Sequence, residues 1–151
     1  MKTLAIDFGE RRLGLAISDE AGRIALPLAT LDRTSDRAVI EAIREVAERE
    51  GVQTLVVGEP RNLDGTSGKA AERARHFARL LATALALPFE LANESLTTVE
   101  AAERLRAAGG DPRRDARRLD ALAAQVLLEE VLELRARKAR REASVVEAKP
   151  A

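Results

Sequence analysis

The chain reads as an α/β domain on a mixed five-stranded sheet, a three-strand antiparallel meander extended by two parallel strands and flanked by helices. Three observations predict this. Residues 2–8, 12–18 and 22–31 are strand-like apolar runs separated only by Gly9 and by Glu20-Ala21-Gly22, connections short enough for hairpins. Two later runs, 52–58 and 88–92, each follow a long helical pattern, the order of a right-handed crossover that would lay both parallel to the first strand. Leu55-Val56-Val57 is continuously apolar, as in a strand covered on both faces.

The helices follow in order. Thr34-Ser35-Asp36 is a cap signal, Val39, Ile40, Ile43, Val46 and Ala47 recur at helical spacing, and Gly51 stops the run. A loop over 59–68 leads into an alanine-rich helix ending near Ala86. Residues 97–108 form the next helix, Gly109-Gly110-Asp111-Pro112 break it, and a last helix spans about 115–137. At 151 residues the chain suits one domain, here 1–137, with 138–151 as a basic, aperiodic and disordered tail.

Composition narrows the chemistry. With no cysteine and His76 alone, thiolate, zinc-finger and histidine-base schemes fall away and carboxylates must do the work. His76 lies mid-helix between Arg75 and Phe77 and reads as a surface or packing residue. No apolar run approaches the ~20 residues of a membrane span, and the chain opens on an acid-ended strand rather than a basic-then-apolar leader, so the expected setting is the cytoplasm. Net charge is zero, but basic residues cluster at Arg113, Arg114, Arg117 and Arg118 and again at Arg135, Arg137, Lys138, Arg140 and Arg141, as solvated helix faces or as phosphate-contacting patches. Gly65-Thr66-Ser67-Gly68-Lys69-Ala70 fails as a phosphate loop, because Leu63 takes the place of the first glycine and Ala70 that of the hydroxyl.

Three acids stand out. Asp7 ends the first strand at the carboxyl edge of the sheet, where ligands of such sheets sit. A carboxylate buried there requires a cation or donors, since leaving it alone costs several kcal/mol. Glu94 follows the last strand at the same edge, and also reads as a capping acid ahead of Thr97-Thr98. Asp120 continues the apolar stripe of Ala123, Ala124, Leu127 and Val131, and also reads as a first-turn acid favoured by the helix dipole. Three hard oxygen donors from separated segments suit Mg²⁺ or Mn²⁺, ions that activate water in phosphodiester hydrolysis.

Asp7-Phe8-Gly9, Gly14-Leu15-Ala16, Val56-Val57-Gly58-Glu59-Pro60 with Asp64-Gly65-Thr66, Glu94 to Ala101 and Asp120 to Glu129 together resemble the YqgF family, also called RuvX, from Met1 to about Leu134. The resemblance implies a ribonuclease-H-like fold, a nuclease described as a Holliday junction resolvase and as maturing precursor 16S ribosomal RNA, and Asp7, Glu94 and Asp120 as its metal-binding catalytic acids. The chain departs at Asn93-Glu94-Ser95, where the family reads Asp-Glu-Arg; Glu94 is kept, and one acid and one base beside it are replaced.

The leading expectation is a metal-dependent endonuclease on a four-way DNA junction or a precursor ribosomal RNA, with Arg12, Arg61, Arg113, Arg114 and Arg117 gripping the backbone. Resolution of a junction needs two opposed nicks, so the chain is expected to be a monomer or weak homodimer that pairs on its substrate. Two other classes compete: a nucleotide-binding module of the actin and sugar-kinase type, against which a single such domain counts, and a silent nucleic-acid binder, against which 2% aromatics and no Tyr or Trp count.

Overall fold

The computed structural model describes residues 1–60, 68–94 and 97–148. Strands β1 (Thr3–Phe8), β2 (Arg12–Ser18), β3 (Ala25–Asp32), β4 (Thr54–Glu59) and β5 (Phe89–Asn93) form one sheet in the order β3-β2-β1-β4-β5. β1 pairs antiparallel with β2 and β2 with β3, whereas β4 runs parallel to β1 and β5 to β4. The expected meander and both parallel crossovers are therefore present. Helices α1 (Asp36–Glu50), α2 (Lys69–Leu85), α3 (Thr97–Ala107) and α4 (Ala116–Ala148) complete the chain.

Side-chain alternation along β1 assigns the two faces. Leu4, Ile6 and Phe8 pack with Val39 and Ile43 of α1 and Phe77 and Leu81 of α2, the larger core. Ala5 points the other way and meets Ala16, Val56, Ala124, Leu127 and Leu128, so α4 lies on a bed of small residues. Small side chains bring helix and sheet backbones close, and that closeness carries Asp120 to the sheet. α3 packs outside α4 through Ala101, Ala123 and Val126.

Where the boundaries differ from expectation, hydrogen bonds explain it. Arg23 and Ile24 donate their N–H groups to Asp19 Oδ1 at 2.8 and 3.0 Å, so a side-chain-closed turn delays β3 until Ala25. Val52 N–H returns to the Ala47 carbonyl beyond the left-handed Gly51, which leaves Val52 in the helix cap and starts β4 at Thr54. Pro27, which has no N–H to give, lies on the edge strand beside a register shift.

The tail is the larger correction. Residues 138–148, expected as a disordered tail after a helix ending at 137, continue α4, whose 33 residues make a rod of about 50 Å. Alanine, arginine, lysine and glutamate dominate here, and Arg137 bonds Glu133 at 2.7 Å one turn back, so local propensity sustains the helix. Residues 138–146 are all exposed. Deleting residues 142–151 is expected to leave thermal stability and turnover unchanged, checked by a melt and a cleavage assay; an early melt would show that the rod is structural.

Candidate active site

Asp7 sits on the α4 face near the end of β1, and its cross-strand partner in β2 is Gly14. A Cβ at position 14 would lie 1.9 Å from the Asp120 carbonyl oxygen, so the backbone of α4 rests directly on β2 beside Asp7. Gly58 does the same for the third acid: a Cβ there would lie 2.2 Å from Glu94 Oε2 and 3.0 Å from Leu127 Cδ2. Two glycines inside strands thus admit two of the three acids. Sequence reasoning gave neither a role, although a glycine interrupting a strand pattern is itself a signal of close approach.

The carboxyls of Asp7 and Glu94 meet within hydrogen-bonding reach. Burial pushes Glu94 up to about 10, helped by its hydrogen bond to Asp7 and by the charge of Asp7. Burial also raises Asp7; the bond to Glu94 opposes this and the charge of Asp120 adds to it. Glu94 Oε2 is buried and has no hydrogen-bond partner among the described residues. Asp120 is held by Arg12, whose Nε donates to Oδ2 at 2.6 Å and whose proton is bound more tightly for it.

These shifts predict a pH dependence. A carboxyl raised in the folded state binds its proton better there than in the unfolded chain, so its contribution is greatest at low pH and is lost as pH rises from the ordinary glutamate value of 4.5 toward about 10. Stability of the metal-free protein is therefore expected to fall between pH 5.5 and 9, a window inside that range. Glu94→Gln should flatten the slope. Denaturant unfolding in EDTA measures it, and equal slopes in both proteins would reject the protonated pair.

The arginines divide. Arg117, though exposed, also contacts the fold, with Nη1 on Asp32 Oδ1 at 2.7 Å and Nη2 on the Thr30 carbonyl at 2.8 Å, while that arginine's own carbonyl accepts from Thr30 Oγ1; this clamp ties the start of α4 to β3. Arg114 lies 3.5 Å from Asp115, and Arg113 is exposed on the turn before α4, its N–H bonded to Asp111 Oδ1. Arg61 lies outside the described residues, as does Ser95. On the α2 face of the sheet, the buried Glu59 pairs with Arg75.

Chemically, the site is an oxygen-only donor set with one buried carboxylate oxygen unpartnered among the described residues, which fits a hard divalent ion. Among the described residues, no three acids are gathered closely enough to hold one ion in this arrangement, because Asp120 faces Arg12.

Known proteins give the family and the fold. A protein of Anaeromyxobacter sp. (strain K) named "Putative pre-16S rRNA nuclease" is 44% identical over 136 residues, covering 90% of this chain and 99% of its own. One of the same name from Chloroflexus aurantiacus (strain ATCC 29366 / DSM 635 / J-10-fl) is 42% identical over 133 residues, covering 87% and 86%. The fold is that of T. thermophilus RuvC in complex with a Holliday junction substrate (TM-score 0.56, 19% identity, 89% of this chain and 96% of that one) and of the Fowlpox virus resolvase (TM-score 0.55, 9% identity, 88% and 97%). The profile of RuvX, described as Holliday junction resolvase, matches residues 1–134, and the chain belongs to this family of nucleases.

Proposed function

We propose that this nuclease is a divalent-ion-dependent endonuclease in which Asp7, Glu94 and Asp120 hold Mg²⁺ or Mn²⁺ against a backbone phosphate. The observation that carries the reading is the buried Asp7–Glu94 pair with its orphaned Oε2, one strand from Asp120 at the carboxyl edge of the sheet. A bound ion of this kind supplies an activated water and stabilises the leaving 3′ oxygen. The chain's own groups do the rest. Glu94 gives up its proton, Asp120 gives up Arg12, and the guanidinium released beside the site turns to the scissile phosphate, for which its planar fork suits it. Arg117 keeps α4, and with it Asp120, seated on β3. Exposed Arg113 and Arg114, and Arg61 from its loop, contact backbone farther out.

The substrates proposed are a four-way DNA junction and the 5′ end of precursor 16S ribosomal RNA, met in the cytoplasm; among the described residues no helix is long and apolar enough to cross a membrane. One copy holds one site, so paired nicks require two copies on the junction, whereas trimming RNA requires one. The test is cleavage of a junction and of a precursor fragment by one preparation with Mn²⁺, Mg²⁺ or EDTA. Cutting of either with an ion and none in EDTA is expected. Equal cutting in EDTA removes the ion from the account, and no cutting with saturable ATP binding replaces it with a nucleotide-binding module.

A further inference from the structure

On the other face of the sheet, immediately beyond Asp7, lies a cleft of about 510 Å³ that the three acids do not use. Its floor is the Phe8 ring, stacked on Phe77 with centroids 4.9 Å apart at 28°. The Arg33 guanidinium lies over the Phe8 ring, its carbon 4.4 Å from the centroid. Nη1 of Arg33 donates to the Gly9 and Glu10 carbonyls, both at 3.4 Å, so this plane is fixed to the turn that follows Asp7. Phe8 thus contacts both Phe77 and the Arg33 guanidinium, and Arg33 places a cation at the cleft.

The wall opposite is α2. Lys69, Arg73 and His76 recur at helical spacing on one side of it, all exposed and all lining the cleft. Asp36 and Glu72 also line it, and Arg73 lies 3.8 Å from Glu10. Arg33, Lys69 and Arg73 outnumber the two lining acids, and His76 adds a further donor. Residues 7 and 8 point to opposite faces of β1, so a strand crossing the Gly9-Glu10 turn meets the acids on one side and this cleft on the other.

We propose that the cleft is a second nucleic-acid subsite that takes an unpaired nucleotide next to the scissile bond. Its base stacks on the Arg33 guanidinium at the cleft, and its phosphate is held by Lys69 and Arg73. Arginine planes stack on flat rings, and stacking reads any base, so the subsite selects an unpaired nucleotide rather than a sequence. A paired base cannot reach the plane without leaving its stack. The single-stranded end of a precursor RNA offers such a nucleotide, and at a junction one is obtained by opening a pair at the branch point, where an end pair lacks a stacking neighbour and costs least to open. The inference deepens the nuclease reading and rests on it for its substrate.

The test is made on the full chain in EDTA, where binding is separated from cutting, with a junction carrying 2-aminopurine beside the branch point and with a blunt duplex. Wild type is expected to raise the fluorescence of the junction probe, because 2-aminopurine brightens as it leaves the stack of its neighbouring bases, and to leave that of the duplex unchanged. Arg33→Lys, which keeps the charge and removes the plane, should lose that rise while melting as wild type. The double variant K69E/R73E should bind the junction at least tenfold more weakly, with a salt dependence shallower by about two counterions. Acetylation of Lys69 in the wild type gives a readout that needs no variant, since the junction should protect it and the duplex should not. An undiminished rise with Arg33→Lys, or a Lys69 that the junction leaves unprotected, overturns the subsite. If wild type cuts with Mn²⁺ but the variants brighten the probe and bind as wild type, the cleft fails and the nuclease reading stands; if the rise and the protection appear but no ion supports cutting, the reverse holds.

Discussion

Asp7→Asn is expected to fold, to bind nucleic acid as before and to lose turnover by about a thousandfold or more. The amide keeps the shape of the side chain and the β1 register with Gly14, so the sheet is undisturbed. What it removes is a charged oxygen that faces Glu94 and feels the charge of Asp120, and a metal's share of transition-state stabilisation is several kcal/mol, at about 1.4 kcal/mol per tenfold. In EDTA the same variant should melt higher than wild type, because a buried carboxyl raised by desolvation and by the charge of Asp120 is replaced by a neutral group. Loss of turnover with a raised melting temperature is a combination that damage to the fold cannot produce. Near-normal turnover would remove Asp7 from the ion site.

Gly14→Ala should be nearly as harmful to catalysis and much more harmful to stability. The added methyl would lie 1.9 Å from the Asp120 carbonyl oxygen and 2.4 Å from its carbonyl carbon, both backbone atoms of a helix packed along the sheet. Neither a rotamer change nor a small side-chain shift relieves that contact, so α4 must lift. Overpacking of this kind costs about 3 kcal/mol. Lifting α4 also strains the Arg117 clamp to Thr30 and Asp32 and moves Asp120 away from Asp7. A variant that unfolds at markedly lower denaturant, and that cuts poorly even where it is fully folded, is the expected result; wild-type unfolding would mean that α4 does not rest on β2.

Much of this was legible because it is local or periodic. The five strands, the Ser35 cap, the Gly51 stop and the acid at the end of β1 each announce themselves within a few residues. Asp120 was legible through its helical phase with Leu127 and Val131, residues that do pack on the sheet. Contacts between distant segments were not. Nothing in the surroundings of Arg12 shows that it bonds Asp120 instead of waiting for phosphate, or that Arg117 ties α4 to β3, because each partner lies dozens of residues away. The length of α4 was misjudged for the opposite reason: aperiodic apolar spacing says where a helix stops burying itself, not where it stops.

The protonated Asp7–Glu94 pair and Asp120 are expected to become the ligands of one divalent ion. Calorimetric titration of the metal-free protein with Mn²⁺ at pH 7, run in two buffers of different ionisation enthalpy, measures this directly, because ligands must shed their protons to bind. Saturable binding should release about one proton per ion, a release that disappears in Glu94→Gln, and binding should weaken in both Glu94→Gln and Asp120→Asn. Binding that releases no proton and is undiminished by these substitutions would show that these acids do not hold the ion.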